Sequence, residues 1–168
     1  MKHVAIALCA ALFLPISVAA ATNTVTPQGK AFLTYAVQDS VGEISLCEMA
    51  EQKSSNADVK SFCTKAIADH KNMIAQADQL AKQINVTIKQ KPSAQSVTEK
   101  AELQKKSSSD FDEDFMRGQV QDHRNDITAA RAALESVDNA QIKSLAQSSL
   151  STLETHLKLA NATLDKLH

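Results

Sequence analysis

Glu43, His70, His123 and His156 share one property. Each interrupts an otherwise apolar helical stripe, close to the middle of its segment. Three imidazoles and a carboxylate form a ligand set that suits Zn, Fe or Cu. The same groups can also satisfy one another without an ion, with Glu43 hydrogen-bonding one or two of the histidines. If they are buried, one of these arrangements is required, because leaving them unpaired costs several kcal/mol. Asp39, Gln119 and Asp126 fall on or near the same inner faces and are candidates for the shell of groups that orient the ligands. Met49, Met73 and Met116 would add soft donors for copper, although methionines at helical spacing commonly serve as core filler.

Four long segments must position these groups. Their apolar residues recur every three to four positions. The first segment, about 28–54, carries Phe32, Tyr35, Ala36, Asp39, Glu43, Leu46 and Ala50 on one stripe. The second, about 58–84, reads Val59, Phe62, Cys63, Ala66, Ile67, His70, Met73, Ile74 and Ala77, with Asp58 as its expected cap. The third, about 111–137, opens with Asp110 and Glu113 in capping-box spacing and runs through Phe115, Met116, Gln119, Val120, His123, Ile127 and Ala130. The fourth, about 139–167, passes Ile142, Leu145, Ser149, Leu153, His156, Leu159 and Ala160. At about 100° per residue, Ala36 and Ala50 share the direction of Glu43, and Cys63 and Ala77 share that of His70.

Short breaks at Ser55-Asn56-Ala57 and Val137-Asp138-Asn139 make each neighbouring pair an antiparallel hairpin. The stretch 85–110 contains Pro92 and a capping box at Ser96-Val97-Thr98-Glu99 that opens a short helix. It is long enough to cross the length of a bundle. The predicted fold is all-α, a ferritin-like four-helix bundle of two hairpins joined by a long crossover. A simple up-down bundle, with the linker folded over one end, is the alternative.

Glu43 and His70 stand at nearly equal sequence distance from the Asn56 turn, so they face each other. Cys47 and Cys63 do the same. In an oxidising compartment this pair reads as a disulfide closing a loop of about fifteen residues, worth roughly 3 kcal/mol in the chain-entropy model. Two free core thiols are the other reading. There is no Cys-x-x-Cys, which argues against a redox enzyme.

The chain has 168 residues, no Trp and only three Gly and three Pro, a helical composition sized for one domain. Residues 1–21 read as a secretory signal peptide. Lys2 and His3 lead the apolar run from Val4 to Leu14, Pro15 breaks it, and cleavage falls near Ala20 or Ala21. Cys9 follows Leu8, which is not a lipoprotein pattern. The mature domain, 22–168, is expected in a bacterial periplasm. With 18 basic and 19 acidic residues and no basic block interleaved with aromatics, nucleic-acid binding has no support.

Gly42-Glu43-Ile44, Val59-Lys60-Ser61-Phe62, Asp69-His70, Phe111-Asp112, Val120-Gln121-Asp122-His123 and Leu153-Glu154-Thr155-His156-Leu157 resemble a bacterial family of exported proteins. That family is described as predicted outer-membrane protein, domain of unknown function 4142, with a ferritin-like fold. The resemblance covers about 27–164 and implies a fold and an exported location, without an activity. Phe115 stands where the family often has Tyr. The helical period of 3.6 does not fit a transmembrane barrel. Di-iron ferritins place Glu three residues before His. Here Ile67 and Leu153 occupy those positions, so a dinuclear ferroxidase centre is not supported. Three functions remain: an exported protein holding one metal ion in its core, for metal handling or envelope stress; a non-catalytic envelope module whose polar core fixes helix register and which acts through a protein partner; or an oxidoreductase using that metal with an open coordination position.

Overall fold

The protein is described from a computed structural model, which covers residues 25–167. The expected signal peptide and Cys9 lie outside the described residues. Five helices follow in order: α1 Pro27–Lys53, α2 Ala57–Gln83, α3 Ala94–Gln104, α4 Ser108–Ser136 and α5 Ala140–Asp165. α1 packs along α2, and α4 along α5, as two antiparallel hairpins. The hairpins meet through α2 against α5 and α1 against α4. The end of α2 packs with the end of α4, since Leu80 and Ile84 share one apolar cluster with Ala133 and Val137. α2 and α4 are therefore parallel, and the segment between them crosses the full length of the bundle. This is the ferritin-like connectivity expected from the sequence.

Local chemistry sets the ends, and three caps differ from the sequence reading. α2 is capped by Asn56, whose Oδ1 accepts from Asp58 N at 2.8 Å and Val59 N at 3.3 Å, so Asp58 lies inside the first turn. There its charge favours the helix dipole. α3 starts behind Ser93, whose hydroxyl accepts from Ser96 N at 3.1 Å. α4 begins at Ser108, where the serine run is taken into the first turn, and the Ser107 hydroxyl donates to Asp110 at 2.7 Å. α2 ends in a Schellman turn. Asn85 adopts φ 56°, Val86 N donates to Ala81 O at 2.8 Å, and Asn85 N reaches Lys82 O at 3.4 Å. Asn tolerates this left-handed conformation better than most residues.

α3 lies over the groove between α1 and α4. Two glycines let it come close. A Cβ on Gly42 would strike the Ser96 side chain, and one on Gly118 would strike the Glu99 carboxylate. Lys100 Nζ donates to Ser45 Oγ at 2.6 Å, and Lys53 Nζ to Gln104 O at 3.1 Å. Leu103 inserts into the core.

The core has two apolar halves. One, around Leu46, Phe62, Phe111, Phe115 and Met116, fills the end that holds the α1–α2 turn. The other, around Leu33, Val37, Ala130, Ile142 and Ala146, fills the opposite end. Between them lies a layer of buried polar groups: Ser40, Glu43, His70, Gln119, Asp122, His123, Asp126, Ser149 and His156.

Candidate functional site

α2, α4 and α5 each send one histidine into this layer. His70, His123 and His156 are all 0% exposed. Their ring centroids stand 5.2–5.8 Å apart, and one ring nitrogen from each lies within 4.8 Å of the others. Phe62 closes one side, edge-on to His123 and His156.

Each ring is anchored by one nitrogen. His123 Nδ1 meets the Gln119 carbonyl at 2.8 Å, His156 Nε2 meets Asp69 Oδ2 at 2.8 Å, and His70 Nδ1 meets Ser40 Oγ at 3.2 Å. A carbonyl only accepts, so His123 Nδ1 carries a proton. The remaining nitrogens turn toward one another. His123 Nε2 and His156 Nδ1 are 3.1 Å apart, and His70 Nε2 is buried with no partner.

The protons on this chain do not balance. From the Gln119 carbonyl through His123 and His156 to the Asp69 carboxylate there are three contacts, each needing a hydrogen. Two neutral imidazoles supply only two. Asp69 supplies none, because Lys65 and His156 hold its carboxyl below the usual range, outweighing the upward push of burial. A charge on the rings is opposed by the site itself. Burial, then His156, lowers His123 to about 4. Burial, then His123 and His156, holds His70 well below the imidazole range. His156 is lowered mainly by burial, against the pull of Asp69.

Glu43 is buried, 2% exposed, but is not among the converging donors. It belongs to a neighbouring set of acids between α1, α3 and α4. Burial, then Asp122 and Asp126, push its pKa well above the usual carboxylate range. Asp39 is raised in the same way by burial, Asp126 and Glu43. Burial lifts Asp126 to about 6, although the Tyr35 hydroxyl donates to its Oδ1 at 2.7 Å. Burial and Asp122 lift Glu99 to about 8. Asp39 lies against Asp126, and Glu99 against Asp122, at hydrogen-bonding distance. Two carboxylates have no hydrogen between them unless one is protonated.

The three histidines thus come together as the stripes predict. Asp39 and Asp126 pair with each other beside the cluster, and Gln119 serves His123 through its backbone carbonyl, while its amide atoms have no partner. Sequence reading missed Ser40 and Asp69, which orient His70 and His156. Ser40 adjoins Asp39 in sequence, and its small hydroxyl gives no signal of its own. Asp69 lies beside His70 in sequence, on the helix shoulder, yet serves another helix. Cys47 and Cys63 face each other as expected, both buried, and are free cysteines in hydrogen-bonding contact.

The family pattern of the domain of unknown function DUF4142 matches residues 15–163. The chain belongs to that family. This DUF4142 chain also shares its fold with the crystal structure of a DUF305 fragment from Deinococcus radiodurans. The TM-score is 0.75 at 15% identity, covering 84% of this chain and 98% of that one. At that identity the likeness is one of fold alone. No curated protein matches the chain. Among the described residues, no helix is long and apolar enough to cross a membrane.

Proposed function

We propose that this DUF4142 protein is an exported helical-bundle protein that binds one transition-metal ion, Zn, Fe or Cu, through His70, His123 and His156, with a role in metal handling in the bacterial envelope. The observation that carries this reading is the missing hydrogen. The second nitrogen of every ring is held by an oxygen, the arrangement found around metal-ligating histidines. The nitrogens left over converge where a proton is lacking and burial opposes a charged ring. A cation at that point lets both imidazoles stay neutral and restores every contact. The spacing supports it. Two nitrogens on one tetrahedral zinc stand roughly 3.3 Å apart, and His123 Nε2 and His156 Nδ1 stand 3.1 Å apart. Three imidazoles leave a coordination position for water or a small ligand, as in exchangeable rather than closed sites. Glu43 lies in the same polar layer, outside the converging donors.

The test is metal content by plasma mass spectrometry on the untagged mature chain purified from periplasm. A His70→Ala, His123→Ala, His156→Ala variant runs beside it. About one equivalent of ion in the wild type, lost in a variant that stays helical, is the expected result. Absence of metal after reconstitution with each ion would leave the second reading, a metal-free polar core. That reading is favoured by the direct approach of His123 Nε2 to His156 Nδ1 at 3.1 Å. Under it, the protein acts through an envelope partner and His123→Gln has only a modest stability cost.

A further inference from the structure

A small cavity adjoins the histidines on the side of the lower apolar half. Its volume is about 20 Å³, room for roughly one water. Tyr35, Asp39 and Ser40 of α1, His70 of α2, Asp126 of α4 and Ser149 of α5 line it among apolar side chains. Its walls run from surface to centre. Tyr35 is 39% exposed, Asp39 is half-buried and His70 is fully buried. α3 covers the same α1–α4 groove higher up, over Gly42 and Gly118, and leaves this part open. Two polar atoms on the walls are buried without a partner, Asp126 Oδ2 and His70 Nε2. Asp39 lies against Asp126, and that contact needs a proton on one of the two carboxyls.

On another side, between α2 and α5, the partly exposed Asp69 reaches His156. There Lys65 Nζ sits 2.8 Å from Asp69 Oδ2, and the same oxygen holds His156 Nε2 at 2.8 Å. A fixed ammonium and an already engaged carboxylate oppose a passing cation.

We infer that the cavity is the passage by which a divalent cation reaches the three histidines, with Asp39 and Asp126 as a carboxylate station beneath the Tyr35 hydroxyl. This rests on the metal-binding reading of the histidines. The cation takes the place of the proton shared by the two carboxyls, which leaves to solvent, then sheds water against Ser40 and Ser149 and moves on to His70 Nε2. The acids govern the rate of loading. The imidazoles govern the final affinity.

The experiment is stopped-flow absorbance with Co²⁺ as the only added metal, on the full mature chain. Wild type is compared with an Asp39→Asn, Asp126→Asn double variant, each first checked for helicity by circular dichroism. Loading of the double variant is expected to be slower by about tenfold or more, the scale of electrostatic focusing on association. Its final spectrum and affinity should match wild type. Asp126→Asn alone, expected to slow loading severalfold, serves as the readout if the double variant does not fold. Lys65→Gln should load at the wild-type rate. Equal rates in the acid variants overturn the passage and leave the histidine site standing. An altered final spectrum would make the acids ligands, which also overturns it, as would faster loading of Lys65→Gln. No Co²⁺ uptake by the wild type overturns the histidine site and the passage together.

Discussion

At the scale of single residues, the polar layer sets two opposed demands on pH. His70, His123 and His156 are held neutral, so the unfolded chain binds more protons than the fold as pH drops from about 6.5 toward 4. Stability is lost over that window, roughly 3 kcal/mol for His123 alone if its ring reaches about 4. The acids act in the other sense. Asp126, raised to about 6, and Glu99, raised to about 8, bind protons more tightly in the fold. Their burial therefore becomes a penalty as pH rises from the ordinary carboxylate range through those values. The metal-free protein should have its highest melting temperature in mildly acidic solution and lose it on both sides. A thermal melt series from acid to alkaline pH checks this, and a flat profile would count against the buried charges. The partners of the rings matter as well. Asp69→Asn removes the carboxylate facing His156 Nε2 and should weaken metal binding by about 10–100-fold. Titration against a chromophoric chelator would measure it.

At the scale of elements, α3 is the piece whose seat is most exposed to test. Gly42 and Gly118 both lie beneath it, but the atoms they face differ in freedom. A methyl at position 42 meets both Cβ and Oγ of Ser96, close to the backbone of α3. Gly42→Ala should therefore push the helix away and cost about 1–3 kcal/mol by overpacking. A methyl at position 118 meets first the carboxylate oxygen of Glu99, the far end of a flexible chain. Gly118→Ala gains up to about 1 kcal/mol of helix propensity against that modest clash, and should be close to neutral. Denaturant unfolding of the two variants separates them, and equal effects would mean that α3 is not held as described. Glu99 adds a condition to the seat. It lies against Asp122 of α4, so α3 should exchange its amide hydrogens faster above pH 8 than below, after correction for intrinsic rates. Glu99→Gln should remove that change.

For the whole molecule, the hairpins and the crossover were legible because the apolar period and the symmetric turns leave few other topologies. The histidines were legible because a polar residue in an apolar stripe stands out. Position along a helix was not enough for Glu43. It shares the level of the histidines, but α1 also faces α4 and α3, and its carboxyl lies near the acids there, outside the converging rings. Glu99 reads as the capping-box residue of a short helix, and nothing in the sequence shows that this helix presses it against Asp122 of α4. Caps at Asn56 and Ser93 were missed by two or three residues, because several Ser, Asn and Asp residues compete for each start. The cysteine pair sits where export would oxidise it. Oxidation should join Cys47 to Cys63 with loss of two hydrogens in intact mass, and reducing that bridge should lower stability by roughly 3 kcal/mol. A chain that carries no such bridge after periplasmic purification would remove that expectation. The protein has one Tyr and no Trp, so its tyrosine fluorescence comes from Tyr35 alone. That ring's hydroxyl rests on Asp126 at the mouth of the cavity. The unlabelled molecule therefore carries its own light source at the place where an arriving ion would first be felt.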